Sequence, residues 1–183
     1  MALSTNYLRI GLNESYVKIG AVLKKVKGIK TLTVDPETWS SRAEGDNTAI
    51  GAISGFTGFG KGTAEFCVCD MDTIAFLCGE TAVLTGATPN QVSTLSFHGT
   101  RQFPEFSIEG RTTNMQAYGT GTLPADSHLK VHHCRLTKAP IPSGHKMNKE
   151  GYQVFSFEFD CWADNTTDHI FDMIDYETAT VIT

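Results

Sequence analysis

The segment YQVFSFEFDCWA, residues 152–163, alternates apolar and polar side chains with a period of two. The odd-numbered residues from Phe155 to Cys161 are apolar, and the even-numbered ones from Ser156 to Asp160 are polar. Because successive side chains of a β-strand point to opposite faces of its sheet, this pattern predicts a strand with one buried face. A strand completes its backbone hydrogen bonds only beside other strands, so the segment predicts a sheet with one solvated side, as is common for antiparallel sheets.

Further segments carry the same signal, either as alternation or as an enrichment in β-branched and aromatic residues. The predicted strands are residues 7–12, 16–26, 29–35, 63–70, 103–111, 128–138 and 178–182. The strands at 128–138 and 152–163 flank a loop of 13 residues, which predicts a long hairpin. Residues 168–176 predict a short helix or an irregular segment.

One helix is predicted, over residues 70–80. Asp70 or Asp72 can cap its start, and Gly79 suits its end. Together with the strands, this helix predicts a mainly β fold: an antiparallel β-sandwich or partial barrel with one short α-helix packed on it and long loops between the strands. At 183 residues the chain is expected to form a single domain, residues 1–183.

Three properties of the whole chain limit its function. The net charge of −5 argues against general nucleic-acid binding. No apolar run approaches the ~20 residues needed to span a bilayer, and the first residues lack the pattern of a signal peptide, so synthesis in a cytoplasm without membrane insertion is expected. The five cysteines are odd in number and fit no disulfide framework, which predicts reduced thiols.

Charge is distributed unevenly along the chain. Residues 1–62 contain eight Lys or Arg and five Asp or Glu, whereas residues 150–183 contain eight Asp or Glu and neither Lys nor Arg. Two interpretations stay open. The charges form separate solvated faces, or the basic and acidic ends meet, within one subunit or between copies.

The stretch GFTGFGKGT, residues 55–63, nearly matches the phosphate-binding loop G-x-x-x-x-G-K-[ST]. Gly62 stands where the motif needs a hydroxyl group, and the residues that follow predict a strand where the motif needs a helix. Nucleotide binding is therefore not expected. Residues 40–62 contain six glycines and predict a long loop instead.

Soft metal ligands occur in two predicted strands. Cys67 and Cys69 share one face of the first, and His132 and Cys134 share one face of the second, so pairing of these strands would gather four zinc ligands. Neither a C-x-x-C nor an H-x-x-x-H spacing is present, and cysteine is also a common small apolar residue of strands. The pattern favours a structural role, and no metal or other cofactor is expected.

No enzyme signature is found in the chain. The histidines near strand ends, His98, His128 and His133, lack a nucleophile motif beside them. The acidic series Asp164, Asp168, Asp172 and Asp175 is interpreted as a solvated face. The protein is therefore not expected to be an enzyme.

The order of the predicted elements resembles that of the tail tube proteins of long-tailed bacteriophages, over residues 7–178. The opening YLRIGLNESYVKIGAVLKKVKGIKTLTVDPETWSSRAEG is similar to their first strands, and GFTGFGKGTAEFCVCD to a long loop that re-enters the sheet. MDTIAFLCGET is similar to their short helix, and FPEFSIEGRTTN, HLKVHHCRLTK and YQVFSFEFDCWAD to the later strands. The acidic end NTTDHIFDMIDYETATVIT is longer than in the family pattern.

The resemblance implies a structural virion protein whose copies form stacked, usually hexameric, rings. Such rings line a hollow tube through which phage DNA is ejected, and an electronegative lumen lets the DNA slide because like charges repel it. The implied partners are copies of the chain itself and the tape-measure, tail-tip and terminator proteins, while DNA passes without specific binding. The implied location is the tail of the virion, after synthesis in the host cytoplasm.

In the family, a long loop after the first strands packs on the neighbouring ring, a role that falls by position to residues 40–62. The residues assigned to this contact are Arg42, Glu44, Asp46, Ile50, Ile53, Phe56, Phe59 and Lys61. Contacts from the later hairpin are assigned to Ile141, His145 and Lys146. The alternatives are a plain surface loop at 40–62 and, for the protein, a capsid decoration protein, a secretion-device tube protein, or a metal-dependent or nucleotide-binding enzyme.

Overall fold

A computed structural model of the chain describes residues 7–45, 48–66, 71–117, 124–138, 140 and 155–182. Within these residues the chain forms β1 (Tyr7–Ile19), β2 (Val22–Val26), β3 (Ile29–Gly45), β4 (Thr48–Phe66), α1 (Met71–Cys78), β5 (Ala82–Thr85), β6 (Val92–Leu95), β7 (Glu105–Ala117), β8 (Asp126–Leu136), β9 (Phe155–Trp162) and β10 (Phe171–Tyr176). The prediction of a mainly β, antiparallel fold with one short helix is confirmed.

Eight of the strands form one antiparallel sheet. Its order is β2-β1-β7-β8-β9-β4-β3, and β10 pairs with β8 beside β9. Strand β9 pairs with the second half of β8, where Trp162 lies opposite His133, and β10 pairs with the first half, where Phe171 lies opposite Val131. β9 and β10 therefore follow the same edge of β8 in the same direction, and residues 163–170 form a loop that leaves this edge and returns to it.

The core lies against one face of this sheet. The rings of Phe157 and Phe66 have centroids 5.6 Å apart, and Phe106 contacts Phe159 edge-on at 5.8 Å. Helix α1 packs on the same cluster through apolar residues that include Leu77, which is fully buried. Among the described residues, no helix combines the length and apolar character needed to cross a membrane.

The largest difference from the sequence prediction concerns residues 40–62. They were expected to form a long loop, but β3 and β4 pair with each other from Gly45 opposite Thr48 back to Ile29 opposite Phe66. The dense glycines indicated a loop because glycine is rare inside strands. In β4 the sheet leaves little room for a side chain at Gly60, since a Cβ there would lie 3.0 Å from the Asp35 carbonyl oxygen.

Smaller differences follow from short or weakly patterned elements. Residues 16–26 form two strands, because Gly20 takes a positive φ of 57° in the turn between β1 and β2. Residues 168–176 were expected to be helical or irregular, but 171–176 form β10, and 178–182 do not form the predicted closing strand. The hairpin of β5 and β6 has four residues in each strand, too few to show a pattern.

Candidate functional site

Strands β3 and β4 extend beyond the sheet. Strand β9 covers β4 only from Phe59 to Phe66, where Phe59 lies opposite Trp162. Among the described residues, 38–45 and 48–56 therefore pair only with each other. This two-stranded projection is called the arm. An isolated pair of strands is only marginally stable in water, so the arm gains stability if a further surface covers it.

Large apolar side chains are exposed along the arm and at its base. The exposed fractions are 46% for Trp39, 67% for Ile53, 69% for Phe56 and 58% for Phe59. The indole of Trp39 lies over Gly55, since a Cβ there would be 3.0 Å from the indole nitrogen. In this register Trp39 and Ile53 share one face of the arm and Phe56, opposite Thr38, lies on the other, so both faces expose apolar side chains that a partner could cover.

The structure brings only part of the predicted contact set together. Ile53, Phe56, Phe59 and Lys61 are exposed on β4, and the backbones of Arg42, Glu44 and Ile50 belong to the arm. Asp46, Ile141, His145 and Lys146 lie outside the described residues. Trp39 was not among the predicted contact residues, because it lies between the strand predicted at 29–35 and the loop predicted at 40–62.

Lys61, the lysine of the near phosphate-binding motif, belongs to a row of charges across the outer face of the sheet. Lys61 lies opposite Asp35 on β3 and Asp160 on β9. Asp160 in turn lies opposite Arg135 on β8, which lies opposite Glu105 on β7. Signs alternate through all five exposed positions, and such cross-strand pairs of opposite charge are stabilising. Lys61, from the basic segment 1–62, thus lies opposite Asp160, from the acidic segment 150–183, within one subunit.

A bulge interrupts β8 in the middle of this face. Phe106 lies opposite Cys134 and Ile108 opposite Val131, so His132 and His133 together oppose the single residue between them on β7. Because two residues of β8 oppose one residue of β7, the alternation of inward and outward side chains along β8 shifts by one residue at the bulge. Val131 and Cys134 are therefore both buried, while the two histidines lie outside the core.

The bulge makes one sequence prediction wrong. His132 and Cys134 were expected to share one face of their strand, but Cys134 is fully buried and lies opposite Cys161 inside the sheet. Burial raises the pKa of the Cys134 thiol well above its ordinary value. Cys67 and Cys69, the other two soft ligands considered in the sequence, lie outside the described residues.

His133 is held between two carboxylates. Its Nε2 donates to Asp164 at 2.9 Å and its Nδ1 donates to Glu105 at 2.5 Å. The hydrogen bond to Asp164, followed by that to Glu105, raises the pKa of His133. The Asp164 carboxylate accepts hydrogen bonds from the ring of His133 and from the backbone N–H groups of Thr167 and Thr166. These hydrogen bonds hold the pKa of Asp164 well below its ordinary value. A histidine with both ring nitrogens donating is the charged form.

His132 belongs to a second cluster on the same face. Its Nε2 lies 2.7 Å from Oδ2 of Asp172, and Nδ1 of His169 lies 2.9 Å from the other oxygen, Oδ1, of the same carboxylate. A cavity of about 530 Å³ opens beside this cluster. It is lined by residues 168–172 on one side and by Pro36 and residues 56–58, at the base of the arm, on the other.

The remaining histidines considered for catalysis have structural contacts. His98 Nδ1 lies 2.9 Å from Glu80, and His128 Nδ1 lies 2.6 Å from Glu109. His128 is also buried beside the fully buried Asp126, which lies 2.7 Å from Nε of Arg111. The contacts of His128 and Asp126 join β8 to β7, and burial leaves His128 without access to a substrate in solution.

Comparison with known proteins assigns no family to the chain: no protein-family model matches it, and no curated protein matches it. The function of the protein is therefore inferred from the arm, the open edges of the sheet and the charge of the chain.

Proposed function

We propose that the protein is a structural subunit that assembles with copies of itself into the hollow tail tube of a long-tailed bacteriophage. The observation that carries this proposal is the arm, which pairs only with itself among the described residues and exposes Trp39, Ile53 and Phe56. Burying a large apolar side chain contributes about 1.5–3 kcal/mol. A second subunit that covers the arm would gain this contribution at several positions.

The edges of the sheet support the same proposal. In the described part of the chain, β2 and β3 end the pairing order, so each has one edge without a partner strand. β3 is 17 residues long, and long open edges readily pair with other chains. β2 is short and carries Lys24 and Lys25, which protect an edge. Strand β3 is therefore the edge that a neighbouring copy is expected to cover.

The charge balance agrees with a channel for DNA. The chain has a net charge of −5, and its last 34 residues contain eight acids and no Lys or Arg. Affinity for DNA needs clustered Lys and Arg that displace counterions from phosphates, so an acidic lining would let DNA pass without being retained. In this proposal the partners are the other subunits, the tape-measure protein and the tail-tip and terminator proteins, and the location is the tail of the virion.

Electron microscopy of the purified, concentrated protein tests the proposal. Hexameric rings or long hollow tubes are expected. A companion variant replaces residues 41–53 with Asn-Gly, a sequence suited to a two-residue hairpin turn, and thereby keeps the part of β4 that pairs with β9. This variant should fold, shown by a cooperative thermal unfolding transition, but should not form tubes. A wild-type protein that stays monomeric at high concentration would refute the assembly.

A further inference from the structure

We propose that His132, His169 and Asp172 bind a divalent transition-metal ion such as zinc. Two imidazoles and one carboxylate are a common ligand set for zinc and for related ions. The proposal does not depend on the assembly of the protein, because all three residues belong to one chain: His132 lies on β8, Asp172 on β10, and His169 in the loop before β10.

The three side chains already converge on one point. One ligand atom from each lies within 4.8 Å of those from the other two. Each oxygen of the Asp172 carboxylate faces a different imidazole, at 2.7 Å for His132 and 2.9 Å for His169. Around a tetrahedral ion with bonds of about 2.0–2.2 Å, ligand atoms are about 3.3 Å apart. To admit the ion, each imidazole nitrogen needs to move about half an ångström away from the carboxylate oxygen that it contacts. The ligand nitrogens of the two histidines, which lie within 4.8 Å of each other, need to take a similar spacing of about 3.3 Å.

The backbone holds the ligands in place. His132 lies in the bulge of β8, and its N–H donates to the carbonyl oxygen of Ile170 at 3.2 Å, beside His169. The loop of residues 163–170 is braced internally, because the Asp168 N–H donates to the Asp164 carbonyl oxygen at 2.8 Å and the Asp164 N–H to that of His169 at 3.0 Å. A site on braced backbone loses little conformational entropy when it binds an ion.

Solvent reaches the cluster from the cavity. His169 is 56% exposed and, with Asp172, lines the space of about 530 Å³ beside Phe56 and Phe171. Three protein ligands leave one tetrahedral position for a water molecule or another ligand. The cavity has room for that fourth group and gives the ion a path to the site.

Zinc titration of the reduced full-length protein, with binding measured by competition against a chromophoric chelator, tests the proposal. One ion per chain is expected. His169→Ala should weaken zinc binding at least about 100-fold, since even second-shell changes cost 10–100-fold at metal sites. Asp172→Asn should also weaken zinc binding. His98→Ala is the matched control, because His98 is also exposed and contacts a carboxylate, Glu80.

Cobalt substitution separates this site from binding by cysteines. Co²⁺ bound by His132, His169 and Asp172 gives visible d–d bands without the intense near-ultraviolet band of thiolate-to-cobalt charge transfer. All variants are checked for folding by circular dichroism. The proposal is overturned by a thiolate charge-transfer band, by the absence of zinc binding, or by equal zinc affinities of the His169→Ala variant and the wild-type protein.

Discussion

The aromatic ring of Phe159 on β9 lies directly against the α-carbon of Gly62 on β4, inside the core. A Cβ on Gly62 would lie 2.9 Å or less from three carbons of that ring. Gly62 is the residue that breaks the phosphate-binding motif. A larger residue does not fit there, because the ring of Phe159 occupies the space of its side chain. The hydroxyl group that a nucleotide site needs at this position would point into the core.

Gly62→Ala should destabilise the protein by about 1–3 kcal/mol, the usual cost of overpacking a core. The free energy of unfolding is measured by urea denaturation. Gly99→Ala is the control, because no atom lies within 4 Å of a Cβ there, and it should change stability by less than about 0.5 kcal/mol. Equal effects of the two substitutions would contradict the packing explanation.

Phe56→Asp and Phe59→Asp should each prevent assembly while leaving subunit stability nearly unchanged, because both rings are mainly exposed. Sedimentation velocity measures the assembly, and thermal unfolding measures the stability. Phe97→Asp is a matched aromatic control, since Phe97 is 44% exposed on the segment after β6. If Phe97→Asp impairs assembly as much as Phe56→Asp and Phe59→Asp do, the arm and its base have no special role in assembly.

Glu80→Gln should lower the melting temperature at pH 7. The Glu80 side chain is 5% exposed and accepts hydrogen bonds from the backbone N–H and the ring of His98 and from Arg101. Burial raises the pKa of Glu80, but these hydrogen bonds outweigh it and leave the pKa below its ordinary value. The carboxylate thus stabilises the fold above the pKa of the unfolded state, and this stabilisation is lost as pH falls through the folded pKa.

The difference in melting temperature between wild type and Glu80→Gln should therefore narrow below about pH 4. Calorimetry at a series of pH values measures it. Glu177→Gln, at an exposed position after β10, provides the comparison and should show little difference at any pH. If the difference in melting temperature between wild type and Glu80→Gln became larger in acid, the pKa of Glu80 in the folded protein would not be lowered.

Cys134 and Cys161 should resist alkylation in the folded protein. They lie opposite each other on β8 and β9 and are fully buried. Burial, followed by the charge of Asp160, raises the pKa of Cys161 to about 11, so little thiolate is present at pH 8. Pulse labelling with iodoacetamide and mass spectrometry of the peptides measures the reaction. Both cysteines should be labelled in urea, and equal labelling rates with and without urea would contradict their burial.

The sequence predicts best those elements whose pattern is local. The alternation of β9 identifies its buried face, including Phe157 and Phe159, and the hairpin that joins β8 to β9 is confirmed by their pairing. The helix is predicted to within two residues at each end, because its capping and stop residues are local signals.

Features that depend on distant residues could not be predicted in the same way. The glycines of β4 by themselves indicate a loop. Their reason becomes visible only in the folded protein, where the ring of Phe159 lies over Gly62. The bulge in β8 comes from a register with β7 that the residues of β8 do not encode by themselves. His132 and Asp172 are 40 positions apart and meet only because β10 returns to the edge of β8.

The loop at residues 163–170 and the bulge in β8 face each other, yet they tolerate change in opposite ways. The loop leaves the sheet after Trp162 and rejoins it at Phe171, so an insertion at its exposed turn alters neither strand's alignment. Deleting one residue of the bulge would shift the phase of half of β8 and exchange its inward and outward side chains. Changes in length are therefore tolerated in the loop at 163–170 and not in the bulge of β8.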